Sequence, residues 1–328
     1  RARDTLAAIR PLLEARGREG KIRHIHGDCH LGNVAMIDGA PRFFDAIEFD
    51  DRIATGDVLY DLAFLVMDVW RHGYPAGASR IFNRYLTVHG DAGDLAALEA
   101  FPFFLMMRAA IRAKAGAARL RFIDESERPD AGRDASDAFH HACGFLEPVP
   151  ARLVAVGGLS GTGKTTIARR LAPALGRAPG AVHLRTDVLR KRQAGAALTD
   201  RLPPEAYTRA ASEAVYAELF AQARTVLSAG QAVVLDAVFA APDERAEAER
   251  IATEAGVTFS GIWLEAPPET LEARVGARTG DASDATEDVV RTQASYDLGE
   301  IGWRRVAAGG TGDATFEAAQ DAMEQAGG

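Results

Sequence analysis

Eight residues constrain this chain more than any others: Gly158-Leu159-Ser160-Gly161-Thr162-Gly163-Lys164-Thr165 fit the pattern G-x-x-x-x-G-K-[ST]. They lie between a short apolar β-branched run, Leu153 to Val156, and a helical pattern from Lys164 to Leu175, the strand-to-helix setting that the pattern requires. Glycines let successive backbone N–H groups turn inward around an anion, and the opening helix adds its positive end. The spacing predicts that Gly158, Ser160, Gly161, Thr162, Gly163, Lys164, Thr165 and Thr166 cradle the phosphates of ATP. Lys164 would reach the β and γ phosphates, and the Thr165 hydroxyl would ligate Mg²⁺. A glycine-rich turn with an incidental lysine is the plainer alternative.

The rest of the sequence sets bounds around this loop. At 328 residues the chain has room for two domains of roughly 100–200 residues each. With 47% hydrophobic and 26% charged residues it reads as an ordinary globular protein rather than a disordered one. Lys and Arg number 19 against 22 Asp and Glu over residues 1–150, and 19 against 24 over 151–328. Both halves are therefore mildly acidic, which disfavours tight binding to long nucleic acid. The longest apolar runs, Leu62 to Met67 and Phe101 to Met107, are far below the roughly 20 residues of a membrane span. No apolar stretch follows the Arg-rich start, so no export signal is expected. Cys29 and Cys143 have no metal-ligand spacing and read as reduced thiols of a cytoplasmic protein. Opening on Arg1 rather than Met, the sequence reads as a piece of a longer chain.

An α/β fold class is expected, with a mostly helical domain over 1–147 and a nucleotide-binding domain over 148–328. In the first, Arg23 to Ile25, Val34 to Ile37 and Arg42 to Phe44 read as short strands, and helical periodicity begins at Asp57. A later helix carries Phe104, Met107, Ala110 and Ile111. Asp124 to Asp137 reads as an exposed loop, Phe139 to Phe145 as a last helix, and Glu147 to Pro150 as a stiff linker. In the second, strands at Leu153 to Val156, Val182 to Leu184, Ala232 to Leu235 and Phe259 to Leu264 alternate with helices. Those helices are Glu205 to Ser228, Asp243 to Glu254 and Thr315 to Gln325. Such alternation predicts a parallel sheet covered on both faces.

What happens to the γ phosphate depends on residues beyond the loop. Asp236 ends a strand, where a carboxylate would hold Mg²⁺, although it could also simply cap the next turn. Ala237 follows it, where many motor-type ATPases carry a water-polarising glutamate, so transfer to a bound acceptor is favoured over hydrolysis. After the second strand comes Arg185-Thr186-Asp187-Val188-Leu189-Arg190-Lys191. With these residues the second half resembles the small P-loop kinases, among them gluconate kinase, polynucleotide 5′-kinase, chloramphenicol phosphotransferase and the zeta-toxin kinases. The resemblance implies that Asp187 takes the proton of the attacking hydroxyl and that Arg190 holds acceptor or phosphate; capping of the following helix is the competing role for Asp187. It also implies a closing lid, whose Arg274 and Arg278, one helical turn apart, would neutralise the transferring phosphoryl group. Thr279 to Thr286 and Arg291 follow them. Trp303-Arg304-Arg305 is expected near the adenine.

In the first half, His24-Ile25-His26-Gly27-Asp28-Cys29-His30 suggests a metal site until the sequence continues to Asn33, Asp45 and Gly56 to Ala63. Together these blocks resemble the catalytic lobe of the aminoglycoside phosphotransferase and choline kinase family, whose fold is protein-kinase-like. The resemblance implies that Asp28 orients an acceptor hydroxyl and that Asn33 and Asp45 ligate Mg²⁺. Nothing before His24 supplies the upstream lobe that such a kinase needs, so this half is expected to carry out no transfer alone: either that N-terminal lobe is missing from this piece of chain, or the half serves as a scaffold or acceptor-binding platform. The combined expectation is an Mg²⁺-dependent transfer from ATP to a small-molecule hydroxyl. An ATP-dependent switch and a nucleic-acid 5′-end kinase are the alternatives, the latter through a local groove of Arg185, Arg190, Lys191 and Arg192.

Overall fold

The computed structural model describes residues 1–277 and 282–324. They divide into one unit of 1–149 with 177–179, and another of 150–176 with 180–328. Arg278 lies outside the described residues, as does the start of the stretch from Thr279.

The first unit opens with a helix absent from the sequence expectation, α1 (Ala2–Arg18), then β1 (Ile22–His24), β2 (Val34–Ile37), β3 (Ala40–Phe43) and β4 (Thr55–Asp57). β1 pairs antiparallel with β4, and β2 with β3. The β2–β3 hairpin turns on Asp38 and Gly39, both at positive φ, as a two-residue hairpin turn requires. Then come α2 (Val58–Arg71), α3 (Pro75–Val88), α4 (Ala92–Ala96), α5 (Phe101–Arg119) and α6 (Arg128–Gly144). Leu59, Ala63, Val66 and Met67 of α2 and Phe101, Phe104, Leu105 and Ala109 of α5 are buried, each large side chain contributing roughly 1.5–3 kcal/mol.

The start of α6 corrects the loop expected over Asp124 to Asp137. Pro129 falls in the first turn, where its missing N–H costs nothing, and Asp130 meets the positive helix end. Ala135, Ala138 and Ala142 then bury a narrow stripe, with Ala135 so close to Gly116 of α5 that a Cβ there would stand 3.0 Å away. α1 is held by Arg16, which is 1% exposed. Its guanidinium donates to both carboxylate oxygens of Asp57, at 2.5 and 2.7 Å, and to Asp94 at 3.1 Å. Asp57 in turn caps α2 through the amide of Leu59.

The second unit is built on β5 (Arg152–Gly157), β6 (Val182–Arg185), β7 (Val233–Asp236), β8 (Thr258–Glu265) and β9 (Arg304–Ala307). They form one parallel sheet in the order β6-β7-β5-β8-β9. The helices are α7 (Lys164–Leu171), α8 (Thr186–Gln193), α9 (Arg209–Ser228), α10 (Pro242–Glu254), α11 (Pro268–Gly276), α12 (Glu287–Ala294) and α13 (Gly312–Glu324). Val154, Val156, Val234 and Ile262 of the sheet pack with Ile167 and Leu171 of α7 and Ala319 and Met323 of α13. β9 escaped the sequence reading, and with it the place of Trp303. That ring is 6% exposed, lies 4.9 Å from Phe239, and fills the space a Cβ on Gly261 would need, 2.4 Å away. Trp303 therefore packs in the core of the second unit.

Candidate active site

Strand order brings the connections after β5, β6 and β7 to the carboxyl edge of the sheet, the usual ligand side of an open α/β fold. After β5, the chain turns through Gly158, Gly161 and Gly163, at φ 137°, 89° and 91°. Two of these turns also press on backbone. A Cβ on Gly158 would stand 2.5 Å from the Leu264 carbonyl oxygen, and one on Gly161 2.7 Å from that of Leu271. Thr162 is buried and donates to the Leu159 carbonyl at 2.8 Å, and Lys164 Nζ donates to the same oxygen at 3.0 Å.

A cleft of about 410 Å³ opens above this loop. Ser160, Gly161, Gly163, Lys164, Thr165 and Thr166 line one side, and Arg185, Thr186 and Asp187 another, with Asp236, Ala237, Val238, Arg169 and Ser283 completing it. Thr165 Oγ1 donates to Asp236 Oδ2 at 2.7 Å. Asp236 is 4% exposed. Burial alone would raise its pKa, yet the His183 ring 3.2 Å away, Arg185 Nε at 3.3 Å and the Lys164 charge hold it well below the usual carboxylate range. The pair thus offers a hydroxyl and a permanent carboxylate, hard oxygen donors that fit Mg²⁺.

Asp187 is the second residue of α8, whose cap position belongs to Arg185, so its carboxylate stands at the positive end of the helix and faces the cleft without acting as the cap. The expected arginines are placed elsewhere. Arg190 donates to the Ala206 carbonyl at 2.5 Å and lies over the Tyr207 ring, and Arg274 donates to the carbonyls of Ala308 and Gly310. Neither lines the cleft. Sequence reasoning assigned no role to His183. Its signal is the alternation His183-Leu184-Arg185 at the end of β6, which puts two basic side chains on the same side of the strand, beside the strand that ends in Asp236.

In the first unit, Asn33 Nδ2 donates to Asp28 Oδ2 and to the Asp28 carbonyl, both at 3.0 Å. Asp45 is exposed at φ 59°, next to Phe44, whose amide donates to the Asn33 carbonyl. The loop is fixed from beneath by Asp61, which accepts from the amides of His26 and Gly27, and by the buried Arg108, which donates to the Gly27 carbonyl at 2.9 Å. The histidines are used locally. His26 Nε2 donates to the Phe44 carbonyl, and His30 Nδ1 accepts from the Gly32 amide. Burial, with the Asp61 charge adding to it, pushes the Cys29 thiol up to about 12. Among the described residues no three His, Cys, Asp or Glu side chains are grouped to hold a metal.

Residues 153–296 match the AAA domain family, and residues 1–101 match the phosphotransferase enzyme family. Two family models thus match separate stretches of the chain, each less than half of it. Proteins of Mycobacterium tuberculosis and Mycobacterium bovis, each recorded as uncharacterized, are 31% identical over 296 residues, covering 88% of this chain and 57% of their own length. The chain thus spans little more than half of those relatives. Among solved structures, a gluconokinase from Sinorhizobium meliloti 1021 is similar at 20% identity and a TM-score of 0.39, over 55% of this chain and 94% of its own. An APS kinase of Mycobacterium tuberculosis, in complex with AMPPNP and APS, is similar at 20% identity and a TM-score of 0.38, over 55% of this chain and 100% of its own. Among the described residues no helix is long and apolar enough to cross a membrane.

Proposed function

We propose that the second unit transfers the γ phosphate of ATP to a hydroxyl of a small-molecule acceptor. The observation that carries this reading is the convergence of Lys164, Thr165, Asp236 and Asp187 on one cleft. The loop from Gly158 to Thr166 binds the phosphates, with Lys164 on the β and γ groups. Thr165 and Asp236 hold Mg²⁺, which when bound neutralises charge on the triphosphate. Asp187 accepts a hydrogen bond from the acceptor hydroxyl and takes its proton as the oxygen attacks. Ala237 leaves no carboxylate beside Asp236 to orient water, which favours an alcohol as acceptor. Arg190 and Arg274, engaged with carbonyl oxygens, brace this geometry, and Arg278 remains the candidate for a charge over the phosphates.

The first unit enters this reading as a second or degenerate phosphotransferase module that carries out no transfer by itself; in it Asp28 would orient a hydroxyl and Asn33 and Asp45 would hold Mg²⁺. The test is ATP consumption by the purified chain against a panel of hydroxylated metabolites, with Lys164→Ala as the blank. Asp187→Asn should keep nucleotide affinity within about twofold and lose about 10²- to 10⁴-fold in transfer. Unchanged turnover would instead favour a nucleotide switch. Activity confined to oligonucleotide 5′ ends and weakened steeply by salt would favour an end kinase.

A further inference from the structure

Asp284 follows Ser283, one of the residues lining the cleft, and its carboxylate serves three donors from a distant stretch of chain. Lys191 Nζ reaches both oxygens, at 2.6 and 2.7 Å. The Tyr207 hydroxyl donates to Oδ2 at 2.5 Å, and the Leu202 amide to the same oxygen at 3.0 Å. Lys191 is 1% exposed, also donates to the Asp200 carbonyl, and lies four residues after Asp187 on α8, on the same face of the helix. Arg190 adds to the join by lying over the Tyr207 ring, 4.8 Å from its centre. The residues just before α12 are therefore fastened to the helix that presents Asp187.

The far end of α12 is fastened to the phosphate loop. Gln293, 9% exposed, accepts the Ser160 amide at 2.8 Å, and α11 backs the same loop through the Leu271 carbonyl against Gly161. One continuous arm thus runs from the phosphate loop to α8. Burying an ammonium is costly, and an apolar contact would join two helices as well or better. What a chelated carboxylate adds is direction, because its donors must keep both distance and angle.

We infer that Asp284 is a positioning residue. By clasping Lys191, Tyr207 and the Leu202 amide, it sets the distance between Asp187 and the phosphate loop, so that acceptor hydroxyl and γ phosphate meet in register. This rests on the phosphotransferase reading, and its test is chosen to separate the two.

In the free full-length chain, Asp284→Asn should speed amide exchange over 186–193 and 282–286 about tenfold while leaving β5 and α7 unchanged. Mg²⁺-AMPPNP affinity should stay within about twofold. The kcat of ATP consumption, with the acceptor found in the panel or with water when none is found, should fall about tenfold at constant KM for ATP. Asp284→Glu should recover most of that loss. Tyr207→Phe, which leaves no buried charge unpaired and so should fold, should shift the same quantities in the same direction by less. Unchanged exchange over 186–193 in Asp284→Asn would overturn the inference, as would kcat and KM moving together. Failure of the parent chain to bind Mg²⁺-AMPPNP would overturn the phosphotransferase reading alone, since exchange in the free chain still decides the clasp.

Discussion

Thr165 Oγ1 donates to Asp236 Oδ2 across 2.7 Å, joining the residue after the loop lysine to the end of a strand 71 positions further on. The carboxylate also faces the His183 ring and the Arg185 guanidinium, so a hydrogen-bonding ring and a cation stand on one side of it and the cleft on the other. Asp236→Asn keeps the shape and removes the charge. Mg²⁺-AMPPNP affinity, read by calorimetry, should fall about tenfold or more, whereas AMPPNP affinity in EDTA should hold or tighten, because Lys164 and Arg185 lose a competing anion. Equal losses with and without Mg²⁺ would remove Asp236 from the metal role.

Cys29 stands beside Asp28, where a reactive thiol would open a different chemistry, but its thiol is pushed up to about 12. At pH 8 its thiolate fraction should be about a thousandth of that of an ordinary thiol, and alkylation by iodoacetamide should be slowed to match. Mass spectrometry at pH 8 should find the exposed Cys143 modified first. The sign for stability follows: a folded value above the unfolded one gives a contribution present below about pH 9, lost as pH rises toward 12. Cys29→Ala should flatten that alkaline decline in urea unfolding.

Arg16 serves two buried carboxylates at once, and its loss would leave Asp57 with only the Leu59 amide among the described residues, while Asp94 would keep Lys21 at 2.9 Å. Arg16→Ala should destabilise the first unit by roughly 3–5 kcal/mol, measured as amide exchange in α1 and α2 under increasing urea. Arg16→Lys should recover less than half, since an ammonium cannot make the two parallel bonds to Asp57. A loss under about 1 kcal/mol would mean that water reaches the site.

The parts of the site that could be read from sequence are those set by local spacing. The loop from Gly158 to Thr165 dictates its own turn, Asp236 ends one strand and Asp187 follows another by two residues, so sheet topology alone brings them to the same edge. Contacts between remote positions left no such mark. Arg274 reaches carbonyls 34 and 36 residues away and Lys191 a carboxylate 93 away, and nothing in either neighbourhood names the partner. The α6 stripe was hidden because alanines carry little hydrophobic signal among Asp and Arg residues. β9 was hidden because Arg304 and Arg305 are exposed on an edge strand, where apolar alternation is weak.

The strand leading into the phosphate loop is the middle one of five, bordered by β7 on one side and β8 on the other. Local opening starts at margins, where fewer bonds must break, so fraying of β6 or β9 leaves the root of the loop in place. On the proposed function, the grip on the nucleotide is then as durable as the whole second unit, and conditions that loosen its periphery should impair what is done with the phosphate before they impair the holding of it.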